Sequence, residues 1–146
     1  MKQFLMSIAL SVAASSIVVG YQSQSAEGLS IAPETTPAYT VLVLRKAAVE
    51  AELARLSETF TSEHPSVGSK RFELHAITLE MKKMLAIAQP QTGKLSSSVG
   101  RLVLSKVALE VELNDLLSNF TSDHPDVRKK RIELAALERE IDKILR

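Results

Sequence analysis

Residues 42–85 are written a second time, sixty positions later, as residues 102–145. LVLRKAAVEAELARL lies over LVLSKVALEVELNDL, FTSEHPSV over FTSDHPDV, and KRFELHA over KRIELAA. About half of the positions are identical, and most of the others exchange like for like. A duplication on this scale confines the chain to two copies of one supersecondary unit.

Each copy carries two periodic segments. In the first copy Leu42, Val49, Leu53, Leu56 and Phe60 form one series, and Val67, Leu74, Ile77, Met81 and Met84 form the next. The second copy repeats both, as Leu102, Leu109, Leu113, Leu116 and Phe120, then Val127, Leu134, Leu137, Ile141 and Ile144. Steps of three, four and seven place these side chains on one stripe of a helix, with a period near 3.5. The period of two that a strand requires is absent.

The shared octapeptide separates the two helices of each copy. Pro65 and Pro125 cannot continue a preceding helix, because they lack an N–H and clash with the turn before. They also push His64 and His124 out of helical geometry. In the first turn of a new helix, however, a missing N–H costs nothing. Thr61, Ser62 and Glu63, with Thr121, Ser122 and Asp123, suit helix ends and turns. One helix therefore stops near Phe60 or Phe120 and the next starts near Pro65 or Pro125. A connection this short gives an antiparallel hairpin, with Phe60 and Val67 placed to pack across its tip. The expected fold is all-α: two tandem antiparallel helical (coiled-coil) hairpins with helices of about 20–23 residues, each a rod roughly 30–35 Å long.

A lone two-helix rod is marginal, because backbone ordering alone costs on the order of 1–2 kcal/mol per residue. A second apolar stripe meets that need. It comprises Ala47, Ala51, Ala54, Phe72, Ala76 and Leu79 in the first copy, and Leu104, Val107, Val111, Ile132 and Ala136 in the second. The hairpins are expected to pack on each other as a four-helix bundle, or on another chain.

Residues 1–26 read as a signal peptide or N-terminal anchor. One positive charge, Lys2, precedes an apolar run from Phe4 to Gly20, and no acid occurs before Glu27. The run is short for a bilayer span, which takes roughly 20 residues. Export to the periplasm or cell envelope follows. Residues 27–39, with Pro33 and Pro37, read as a flexible linker. Hairpins are expected at 40–88 and 98–146, joined by a linker at 89–97 that holds Pro90, Gly93 and a serine run. The chain has no Cys, which excludes disulfides and thiolate metal sites, and a net charge of only +1. So weak a field does not steer a protein to nucleic acid, and no nucleic-acid partner is expected.

Candidate chemistry is sparse. His64 and His124 stand beside Glu63 and Asp123, but no further ligand has metal-site spacing. A histidine before a helix-opening proline reads first as a cap, and His75 has only Ala135 as its counterpart. Arg128, Lys129, Lys130 and Arg131 form the one basic cluster. It lies in the first turns of a helix, where the dipole disfavours cations, and is the candidate surface for an anionic glycan or lipid. No nucleophile elbow, P-loop or dinucleotide fingerprint is present. The expectation is a non-enzymatic protein without cofactors.

Phe60, Thr61, His64, Pro65 and Val67, repeated as Phe120, Thr121, His124, Pro125 and Val127, follow a leucine series and precede a basic residue and Glu-Leu. This pattern resembles the turn of the periplasmic coiled-coil segment in polysaccharide co-polymerases, the chain-length and exopolysaccharide-export proteins. The resemblance covers the two hairpins and no membrane helices or kinase segment of that family. It implies the hairpin and an envelope setting. Two readings of function follow: a scaffolding or interaction protein that binds a protein partner or itself through helix faces, and an accessory of polysaccharide export that touches an anionic chain through Arg128–Arg131.

Overall fold

Pro37 opens the first helix at its N1 position, after Thr36 has turned the chain and accepted a hydrogen bond from Tyr39 N–H through its hydroxyl. In the computed structural model, which describes residues 31–146, four helices follow in order. They are α1 (Pro37–Thr59), α2 (Pro65–Leu85), α3 (Ser97–Asn119) and α4 (Pro125–Leu145), and no strand occurs among the described residues. Equivalent helices of the two copies have the same lengths, 23 and 21 residues. Short 3-10 turns at Pro33–Thr35 and Gln91–Lys94 precede α1 and α3.

The fold is two tandem antiparallel hairpins packed together. α1 pairs with α2, α3 pairs with α4, and α3 also lies against both helices of the first hairpin. α1 and α3 run side by side in the same direction. Near their starts Ala38 N–H donates to Leu95 C=O at 3.1 Å, and near their ends Ser69 of α2 reaches Asp115 of α3 at 3.1 Å. The crossing is close enough that a Cβ on Gly100 would stand 2.9 Å from the backbone of Ala38.

This arrangement centres the core on α3. Leu42, Val49, Ile77, Met84, Val103 and Val107 are buried together, each such side chain contributing about 1.5–3 kcal/mol. α4 has only α3 as an extensive neighbour. The seam of the second hairpin is therefore more open: Leu102, Leu109, Leu113 and Leu134 are half-buried, where Leu42 and Ile77 are wholly buried.

Several expectations change. The segment read as a flexible lead contributes structure from residue 33 onward, and Ala38 is among the most buried residues. The joint 89–97 buries Thr92 and Leu95. Val67 and Val127 are buried beneath the turns, and Phe60 and Phe120 are 40% and 44% exposed. Of the second stripe, Ala76 and Val107 are buried, whereas Ala47, Ala51, Ala54, Ile132 and Ala136 are open. The proposed signal segment, 1–26, lies outside the described residues.

Candidate functional site

The two turns are built identically. Thr61 C=O accepts from His64 N–H at 3.1 Å, and Thr121 does the same for His124. His64 Nδ1 then accepts from Ser66 N–H, and His124 Nδ1 from Asp126 N–H, both at 3.3 Å. Each imidazole thus caps the helix that its following proline opens. Phe60 stacks on His64 with ring centroids 4.1 Å apart, and Phe120 on His124 at 4.2 Å. Phe60, His64, Pro65 and their counterparts Phe120, His124 and Pro125 are accounted for as turn and cap. Among the described residues no group of three or more His, Asp or Glu is placed to hold a metal ion.

The basic run is smaller than its sequence. Lys130 is held by Glu112 at 2.7 Å and Glu133 at 2.9 Å, and these hydrogen bonds raise its pKa above the ordinary value. Lys130 in turn lowers that of Glu133. The first hairpin repeats the arrangement, with Lys70 bound to Glu52 at 2.7 Å and Glu73 at 2.9 Å. Lys130 is therefore an internal brace of its hairpin. Arg128, Lys129 and Arg131 are exposed on the tip of α4 and carry no ion pair among the described residues.

The densest electrostatic site is one that sequence reasoning missed. Lys106, on α3, projects from between Val103 and Val107 into the contact with α2 and is buried. Its Nζ lies 2.8 Å from Glu80 Oε1 and 3.4 Å from both Glu110 and Glu138. Glu80 also accepts from Lys83 at 2.6 Å. Burial works against the charge on Lys106, but the Glu80 hydrogen bond and the surrounding carboxylates outweigh it and raise its pKa. Burial likewise opposes ionisation of Glu80, and Lys106 and Lys83 overcome it and hold its pKa below the ordinary carboxylate value. The available signal was a lysine set inside a valine row.

The remaining surface offers open clefts. One lies between the hairpins near the first tip, lined by Glu52, Arg55, Ser69 and Asp115, and another between the ends of α2 and α4, lined by Met84, Ile87 and Leu145. Among the described residues no helix is long and apolar enough to cross a membrane. Comparison with protein-family models, curated proteins and solved structures finds no match to this chain.

Proposed function

We propose that this chain is an exported, non-catalytic interaction or scaffolding protein of the cell envelope, with residues 1–26 acting as its signal peptide or anchor. The observation that carries the reading is the unequal burial of a duplicated structure. α1 leaves Val43 and Leu44 exposed, and α4 leaves Ile132 and Ile144 exposed, although their counterparts Val103 and Met84 are buried. Apolar side chains grouped on helix faces favour burial against a partner. The apolar N-terminal run and the resemblance of the turn motif to polysaccharide co-polymerase coiled coils support an envelope, periplasmic setting. In-cell cross-linking followed by identification of the captured species tests this. Envelope proteins, or the chain itself, are expected in the captured set, and a chain that captures neither overturns the proposal.

A second reading rests on Arg128, Lys129 and Arg131, whose exposed charges stand together at one tip. They suit an anionic glycan or lipid headgroup in polysaccharide export. Binding to anionic vesicles or an acidic polysaccharide is then expected to weaken with salt. It is also expected to vanish on reversal of those three charges, and binding unchanged by the reversal excludes the patch.

A further inference from the structure

The contact between the hairpins is lopsided, and the sixty-residue repeat gives that asymmetry a consequence. The second hairpin docks through its first helix, using Val103, Lys106, Val107 and Val111 of α3. The first hairpin receives it on both helices: Ala38 and Val41 of α1 lie against Gly100, and α2 offers the row Ala76, Glu80 and Met84. The two faces differ, so the contact is heterologous. Each copy of the repeat carries both faces, and within one chain only one of each is used. A heterologous contact of this kind leaves a complementary pair of faces free at its two ends.

The free faces are recognisable residue by residue. Sixty positions before the docking face, α1 carries Val43, Lys46, Ala47 and Ala51. Val43 is 41% exposed where Val103 is 3% exposed, and the adjoining Leu44 is 67% exposed. Sixty positions after the receiving face, α4 carries Ala136, Glu140 and Ile144, with Ile132 one turn earlier in the row. Ile144 is 40% exposed where Met84 is 3% exposed, and Ile132 is 69% exposed. The ionic half-sites are also duplicated. Lys46 pairs with Glu50 as Lys106 pairs with Glu110, and Glu140 pairs with Lys143 as Glu80 pairs with Lys83.

We propose that a second copy of this chain docks its α1 against α3 and α4 of the first, head to tail, so that Lys46 of one copy reaches Glu140 of the other as Lys106 reaches Glu80. This deepens the scaffolding reading and rests on it. Two features favour a second copy over an unrelated partner: continuity with an interface already present in the fold, and the matching of a lysine half-site to a glutamate half-site. Such a contact extends into an open chain of molecules or closes into a ring. Its departures from the internal contact set its strength. Ala47 and Ala51 replace Val107 and Val111, and Thr40 stands where Gly100 permits the close crossing. At the tip end Arg55 would meet Lys129, where Asp115 accepts from Ser69. The contact is thus a weaker copy of the internal one, reversible and dependent on concentration.

Sedimentation velocity on the full chain over a wide concentration range tests this. A mass that rises with concentration is expected. Lys46→Glu and Glu140→Lys should each weaken association roughly tenfold or more, and the double variant should restore it. Glu140 is exposed and Lys46 partly so, and circular dichroism and thermal melts of each variant check that the fold is kept. Arg55→Asp should tighten association by removing the repulsion from Lys129. The chain has no native cysteine, so Ala47→Cys and Ala136→Cys on separate, differently tagged copies should be joined by a short bis-maleimide, and neither copy with itself. A chain monomeric at every concentration overturns the proposal. If that monomer still captures another envelope protein in cells, the scaffolding reading stands without it. Association indifferent to both charge reversals, or cross-linking of Ala47→Cys copies to each other, also overturns it.

Discussion

Lys106 Nζ lies 2.8 Å from Glu80 Oε1, and this is the one ion pair among the described residues that joins the two hairpins. Both side chains are buried, so removing either leaves the other charge with weaker compensation. Glu80→Gln leaves Lys106 with Glu110 and Glu138 at 3.4 Å, and should cost about 1–2 kcal/mol in urea denaturation. Lys106→Met leaves a buried carboxylate with only Lys83, and should cost about 3 kcal/mol or more. Replacing both with methionine should recover most of that loss, because a buried pair exchanged for apolar side chains is often neutral. A double variant no more stable than Lys106→Met would show that the charges act independently.

The same pair sets a pH dependence. The pKa of Glu80 is lowered on folding, so its contribution is present above the unfolded value and is lost as pH falls through the folded one. The pKa of Lys106 is raised, so its contribution is complete below the unfolded value and is lost as pH rises through the folded one. Stability should therefore be nearly flat between about pH 6 and 9 and fall on both sides. Glu52 and Glu133 are lowered too, by Lys70 and Lys130. Glu80→Gln should accordingly make the acid limb of the melting-temperature profile shallower without removing it.

Gly100 and Gly68 should respond in opposite ways to the same substitution. A Cβ at Gly100 meets the Ala38 backbone at 2.9 Å and the Val41 side chain at 3.1 Å. Neither neighbour can swing aside without parting α1 from α3. Gly100→Ala should destabilise by about 1–3 kcal/mol. Gly68 lies inside α2 with nothing within 4 Å of its missing Cβ, and Gly68→Ala should stabilise by about 0.5–1 kcal/mol. Thermal melts of the two variants moving in the same direction would contradict the crossing geometry.

The hairpins were legible because their signals are local. Steps of three and four mark Val67, Leu74 and Ile77 as one stripe wherever the helix ends up, and proline stops a helix regardless of its surroundings. The packing between hairpins was not legible, for a reason inherent in duplication. Lys46 and Lys106 occupy the same place in the repeat, as do Val43 and Val103, yet one of each pair is buried and the other open. Burial there depends on which side of the first hairpin receives α3, and that choice is made by non-local details such as Gly100 in place of Thr40. The octapeptide illustrates the converse. Its histidine reads as a cap from the proline that follows it, and its Nδ1 accepts the backbone N–H two residues on. The basic run was misleading, because Lys130 spends its charge on Glu112 and Glu133, acids far from it in sequence or one turn away.

Hydrogen exchange should divide the helices unevenly. α3 is enclosed by neighbours on several sides, and α4 rests on α3 alone as its extensive contact. Local opening follows the apolar contact that must be broken. In the monomer, amides of α4 should exchange fastest of the four helices and those of the buried half of α3 slowest. At concentrations where copies associate, protection should rise in α1 and α4 and stay unchanged in α2. Uniform protection across all four helices would mean that the second hairpin is as well packed as the first.

The capping histidines give a test that separates structure from ligand chemistry. Each Nδ1 accepts one backbone N–H at 3.3 Å, and each ring stacks on the phenylalanine that ends the preceding helix. His64→Ala and His124→Ala should each cost about 0.5–2 kcal/mol, the usual range for a lost helix cap. His64→Asn keeps a side-chain acceptor but loses the stacked ring, so it should recover part of the loss. Phe60→Leu should cost less than His64→Ala, because it removes the stacking and leaves the cap in place. If the histidines instead held a metal, chelator would lower the melting temperature of the parent protein and leave the alanine variants unmoved. The cap geometry requires that chelator and added zinc leave all of these melts unchanged.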